Sequence, residues 1–90
     1  MSAVARHVVI HGRVQGIFFR ESTRRRADAA GVAGWVTNRP DGAVEAWFEG
    51  ASDDVGVLVD YVRHGPSGAE VERVEVDDVE PEGLGAFRVR

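Results

Sequence analysis

The chain has 90 residues, 15 acidic side chains, 11 arginines and no lysine, for a formal net charge of −4. It has no cysteine, so disulfide staples and thiolate metal sites are excluded. The acidic balance argues against nucleic acid as a default partner, since phosphate attraction needs a positive field. Ninety residues imply one domain, residues 1–90. No apolar stretch reaches the length of a signal peptide or a membrane helix, so a soluble, cytoplasmic monomer away from membranes is expected.

In chain order, residues 5–11 read as a strand, with Val8 and Ile10 on one side and His7, Val9 and His11 on the other. A helix follows from about Arg20 to Val32, with Phe19, Thr23, Ala27 and Ala30 at helical spacing and Gly31 or Gly34 to end it. Residues 34–38 form a short strand. Arg39-Pro40-Asp41-Gly42 spells a tight turn, and residues 43–50 return as the second arm of a hairpin. A second helix is expected from Ser52 as N-cap, with Asp53 and Asp54 at its positive end. Val55, Leu58, Val59 and Val62 form its apolar stripe, and Gly65-Pro66 stops it. Residues 69–79 are strand-like. Val71 is out of phase with Val74 and Val76, which predicts a bulge or a late start. Residues 86–90 make a last short strand. The order β-α-β-β-α-β plus a terminal strand is the ferredoxin-like split-βαβ pattern: an antiparallel sheet with two helices on one face.

The segment His11–Ser22, HGRVQGIFFRES, joins the first strand to the first helix. Such a junction collects free N–H groups, because a first helical turn has no acceptors for them. Gly12 and Gly16 let it curl, and curled amides at a helix N-terminus form an anion nest. Val14, Ile17 and either Phe18 or Phe19 can pin it to the core. Arg20 stands at the rim, able to grip two oxygens of one phosphoryl group. In the expected topology the end of strand one, the start of strand three and the end of strand two share one sheet edge. Asn38 therefore comes near the cradle, as a turn initiator or as a holder of water beside the phosphate.

Other constellations carry less. His7 and His11 share a strand face but lack a third metal ligand. Asp53-Asp54 and Asp77-Asp78 are adjacent residues, which point apart. Arg24-Arg25-Arg26 spreads around a helix as a solvated run or a partner-docking face, and Trp35 reads as a packing residue beside Gly34. Trp47, on the open sheet face with His7 and His11, raises the alternative of a ferredoxin-like RNA-binding module. Glu45 and Glu49 flank it, however, and no basic-aromatic run is present. A small-molecule regulatory domain without turnover is a further alternative.

Residues 12–20, GRVQGIFFR, resemble the first signature of the acylphosphatase family, and residues 34–50, GWVTNRPDGAVEAWFEG, resemble its second. The spacing and total length also match. The resemblance implies hydrolysis of acyl phosphates to carboxylate and inorganic phosphate. It makes Arg20 the phosphate-binding arginine and Asn38 the residue that orients the attacking water. Gln15, Gly16, Ile17, Phe18 and Phe19 would form the amide cradle together with Arg20. It implies no metal or other cofactor, a small acyl phosphate as substrate, and phosphate or sulfate as competing ligand. Ile17 and Thr37 depart from the family pattern, the latter where a longer polar or basic side chain is common.

Overall fold

The computed structural model describes residues 2–90. Seven elements follow one another: β1 (Val4–Arg13), α1 (Phe19–Ala30), β2 (Ala33–Asn38), β3 (Val44–Gly50), α2 (Ser52–Val62), β4 (Glu70–Val79) and β5 (Phe87–Val89). They build a five-stranded sheet in the order β4-β1-β3-β2-β5. β1 pairs antiparallel with β3 and with β4, and β2 pairs antiparallel with β3. β5 pairs parallel with β2, so the sheet is mixed; the expected antiparallel arrangement holds for the first four strands. Among the described residues, no helix is long and apolar enough to cross a membrane.

Both helices cover one face, α1 over β2 and β5, α2 over β1 and β3. Period-two alternation sends Val8, Ile10, Val36, Val44, Ala46 and Phe48 into this layer. Phe19 and Ala27 from α1 meet them there, with Val55, Leu58 and Val62 from α2. Phe87 closes the core by stacking on Phe48 at 5.9 Å between ring centroids. Thr23, buried in this apolar layer, donates its hydroxyl to the Phe19 carbonyl oxygen at 2.8 Å.

β1 extends further than the periodicity predicts, through Arg13, because β4 continues to pair with it as far as Glu70. The predicted bulge falls between His11 and Gly12, where Arg73 and Val71 are the successive partners and Glu72 is left over. Gly12 therefore lies within a strand and does not curl the loop. A Cβ there would stand 2.1 Å from the Glu70 carbonyl oxygen. α1 ends two residues early in a Schellman turn: Val32 N–H donates to the Ala27 carbonyl and Gly31 N–H to that of Asp28. Ser52 is the first helical residue of α2, not its cap. Ala51 occupies the cap position, with no side-chain bond.

β4 and β5 lie at opposite edges, so residues 80–86 must cross the sheet. Glu49 anchors that crossing. Its carboxylate accepts the main-chain N–H groups of Glu82, Gly83 and Leu84, each at 2.8 Å, and the Trp47 indole N–H at 3.1 Å. Burial by itself raises the Glu49 pKa, but these four donors outweigh it and hold the carboxyl below its ordinary range. A depressed folded-state pKa means stability that is complete above the unfolded value and lost as pH falls through the folded one. Glu49→Gln turns an amide donor toward these N–H groups and should cost about 1–3 kcal/mol at neutral pH. The loss of stability below about pH 4.3, the unfolded glutamate value, should also become shallower. Urea unfolding from pH 3 to 7 measures both; an acid limb as steep as wild type would show that Glu49 does not contribute to it.

Candidate active site

The segment between β1 and α1 carries two left-handed residues, Gly16 at φ 77° and Phe18 at φ 61°. That alternation turns successive amides toward one side, the geometry of an anion nest. Among the described residues, no intramolecular acceptor is found for the main-chain N–H groups of Gln15, Gly16, Ile17, Phe18 and Phe19. A methyl group at Gly16 would meet nothing within 4 Å, so its positive φ alone accounts for glycine there. Phe18 is a different case. A left-handed aromatic residue costs about 1–2 kcal/mol, yet Phe18 is 85% exposed and recovers nothing from the core. The pinning falls to Val14 and Phe19, both buried, with Ile17 packed against the edge of the core.

A cavity of about 400 Å³ opens beside this loop. Gly16, Phe18, Phe19 and Arg20 line it, together with Asn38 from the end of β2 and Val89 from β5. Two sequence-distant candidates, Arg20 and Asn38, thus share one space. Arg20, in the first turn of α1, donates from Nη1 to the Arg90 main-chain oxygen at 2.9 Å. That oxygen also accepts the Thr37 hydroxyl at 3.3 Å, and Arg90 N–H donates to the Val36 carbonyl at 2.8 Å. Thr37, the departure from the family pattern, therefore ties the end of the chain to β2.

The hairpin turn is closed without the Asn38 side chain. Arg39 N–H donates to the Ala43 carbonyl at 2.8 Å, and Asp41 Oδ1 accepts Ala43 N–H at 3.0 Å. That last bond, with Arg39 adding to it, lowers the Asp41 pKa. Gln15 directs its side chain away from the cavity. Its Nε2 donates to the Arg39 carbonyl at 2.8 Å and to that of Ala43 at 3.0 Å, bracing the nest loop against the turn that carries Asn38. Gln15 and Ile17, both expected in the cradle, are not among the residues that line the cavity.

Sequence reasoning missed Val89 and Glu21, which also line the space. The short β5 gave no sign of its pairing partner. Glu21 stands three residues before Arg24, a spacing that does signal a helical ion pair. Arg24 bonds both Glu21 carboxylate oxygens, and this contact foremost lowers the Glu21 pKa. The rim carboxylate is thus ionised but shared with a cation.

The open sheet face is occupied by its own residues. Trp35 and Trp47 stack at 6.5 Å, His7 meets both edge-on, and the Arg90 guanidinium covers Trp35 at 4.8 Å. Trp35 thus packs on this face against Trp47. His7 pairs with Glu45 at 2.6 Å and His11 with Glu75 at 3.1 Å. No group of three potential metal ligands is found among the described residues.

Comparison with known proteins identifies the family and supports the fold. Residues 6–89 match the acylphosphatase family profile. The chain is 51% identical over 88 residues to an acylphosphatase from Gloeobacter violaceus, covering 98% of this chain and 95% of that one. Its fold superimposes on an acylphosphatase structure from Coxiella burnetii with a TM-score of 0.94 at 38% identity, covering 98% and 93% of the two chains. For the Bacillus subtilis acylphosphatase the TM-score is 0.93 at 33% identity, with 97% and 98% covered. Full-length relatives this similar in sequence and fold favour turnover over the RNA-binding and regulatory alternatives: the chain belongs to the acylphosphatase family and hydrolyses acyl phosphates.

Proposed function

We propose that residues 1–90 form one metal-independent catalytic domain in which Arg20 and the main-chain N–H groups of residues 15–20 hold the phosphoryl group while Asn38 orients the attacking water. The observation that carries this reading is the single cavity shared by the nest loop, Arg20 and Asn38. Water oxygen attacks phosphorus, the bond from phosphorus to the acyl oxygen breaks, and the carboxylate leaves with the electron pair. The water proton ends on the phosphate. A carboxylate leaving group has a conjugate acid of pKa about 4, so no general acid is required. Charge on the equatorial oxygens is met by the guanidinium fork and the amides, which suits a loose phosphoryl transition state.

Inorganic phosphate or sulfate should compete for the same nest. The working form is a monomer in the cytoplasm, acting on small acyl phosphates and not on nucleic acid. The acidic net charge and the self-occupied sheet face support that assignment.

Purified protein should hydrolyse acetyl phosphate at an unchanged rate in excess chelator, and simple phosphate monoesters far more slowly. Chelator-sensitive turnover would overturn the metal-free mechanism.

Arg20 and Asn38 should fail differently. Arg20→Gln loses affinity for inorganic phosphate as well as turnover, and lysine rescues it only partly because it lacks the planar fork. Asn38→Ala should lower kcat about 10²–10³-fold, the range for a transition-state donor, and keep phosphate affinity. Phosphate at 100 times its Kd adds about 2.7 kcal/mol of stability. Wild type and Asn38→Ala should show most of that gain in thermal unfolding, and Arg20→Gln little of it. A folded Asn38→Ala with wild-type kcat would reduce Asn38 to a turn residue.

Gln15→Ala removes the brace between the two halves of the site. It should cost about 1–2 kcal/mol of stability and lower kcat about tenfold through misplacement of Asn38. Phosphate stabilisation should persist, since the amides and Arg20 remain. If kcat and phosphate binding fall together, Gln15 supports the nest itself and not the Asn38 turn.

A further inference from the structure

A second, larger cavity of about 790 Å³ adjoins the first and shares two of its walls, Phe18 and Glu21. Its remaining lining is Ser22, Arg25, Arg26 and Ala29. Residues 21, 22, 25 and 29 fall on one stripe of α1 and Phe18 stands at its N-cap, so the space is a groove running from the nest along the helix.

Three features give the groove a chemical character. Phe18 presents a ring at the boundary between the cavities, in a conformation that glycine would adopt at lower cost, and its side chain is 85% exposed. The nest needs only the backbone of residue 18; the ring is surplus to it. Second, the far end is cationic. Glu21 is already engaged by Arg24 at both oxygens, whereas the Arg25 side chain is 76% exposed and reaches Glu21 only at 3.5 Å. Arg26 is held in place by its guanidinium lying 4.7 Å over the Tyr61 ring, which leaves the edge N–H groups of the fork free to donate. Third, the spacing is defined. Arg25 and Arg26 follow Arg20 by five and six positions, roughly 7–9 Å along the helix axis.

We infer that this groove is the acyl-group subsite, and that it selects acyl phosphates with a planar apolar body, stacked on Phe18, and a distal anionic group met by Arg25 and Arg26. The inference rests on the proposed placement of the phosphoryl group at Arg20 and the nest. An acyl phosphate so placed has its acyl carbon at the shared wall of the two cavities. A planar stem spans the distance to the arginines, whereas an acetyl group ends at Phe18.

Three substrates separate the contributions: acetyl phosphate, benzoyl phosphate and 4-carboxybenzoyl phosphate. Their kcat/KM values are compared at low ionic strength in wild type, in Phe18→Ala and in the double variant Arg25→Gln/Arg26→Gln, each shown to be folded by circular dichroism. Wild type should favour 4-carboxybenzoyl over benzoyl phosphate about three- to fivefold, the size an exposed charge pair supplies. The double variant should abolish that preference through KM and leave acetyl phosphate turnover unchanged. Salt should erode the wild-type preference in the same way. Phe18→Ala should lower the ratio of benzoyl to acetyl phosphate about three- to tenfold, as expected for loss of an aromatic stack. Turnover of all three substrates with ratios unaltered in both variants would overturn the subsite and leave the catalytic assignment standing. Failure of folded wild type to turn over any of them would overturn the catalytic assignment and the subsite with it.

Discussion

Val44 pairs with Ile10 on one side and with Asn38 on the other, and the geometry of the site depends on that register. Because both pairings are antiparallel, the end of β1 and the end of β2 reach the same edge of the sheet. The nest loop leaves β1 just beyond this row, and Asn38 closes it. A slip of one residue between β3 and either neighbour would turn Val8 and Ile10, or Val36, from the helix layer to the open face. The buried alternation of Val44, Ala46 and Phe48 opposes that slip. Hydrophobic patterning in the core thus fixes the relative position of two polar groups that are 18 positions apart in the chain. Gln15 then trims the position by bonding the turn directly, and β5 adds Val89 to the cavity wall and the Arg90 oxygen to Arg20.

The proposed anion site, in a chain of net charge −4, needs local arrangement, because the overall field does not supply it. Six of the eleven arginines are tied to carboxylates: Arg6 to Asp78, Arg13 to Glu70, Arg24 to Glu21 and Asp28, Arg25 to Glu21, Arg39 to Asp41, Arg73 to Glu75. Arg20 forms no side-chain ion pair among the described residues; it spends one donor on the Arg90 oxygen and keeps the others of its fork. The single bond orients the guanidinium without consuming it. Glu21, the rim carboxylate that would repel phosphate, is shared by Arg24 and Arg25. The pairing therefore works on both sides of the cavity, leaving one cation available and screening one anion.

The two signature stretches marked Arg20 and Asn38 as candidates, since they carry residue type and spacing together, and the fold brings both to one cavity. Periodicity revealed the alternating core of β1 and β3 and the stripe of α2, and the phase error at Val71 marked the bulge beside Gly12. Local rules failed where tertiary context decided. Ser52 has the chemistry of a cap, but the chain enters α2 one residue earlier. β5 has only three residues, too few to reveal that it would pair in parallel with β2 at the edge far from β4. No one-dimensional signal shows that Gln15 turns its side chain to the hairpin, or which of Phe18 and Phe19 is buried. That choice follows from the left-handed turn at residue 18, which rotates one ring out and commits the next to the core.

The sparseness of the site agrees with its substrate. A phosphate monoester expels an alkoxide, whose conjugate acid is about as weak an acid as water itself. The cavity has no residue placed to protonate such a group: Glu21 is kept ionised by Arg24, and His7 and His11 pair with carboxylates on the sheet face. An acyl phosphate expels a group that is stable as an anion at neutral pH. On the proposed mechanism, what remains for the protein is to hold three oxygens and one water in line, and rigid backbone would do this at low entropic cost. Main-chain amides set by the β1–α1 junction cannot change rotamer, the guanidinium is fixed by the Arg90 oxygen, and the Asn38 turn is braced by Gln15. Discrimination between acyl and ester substrates then resides in the leaving group itself. Discrimination among acyl phosphates is left to whatever lies beyond Phe18, where the groove along α1 begins.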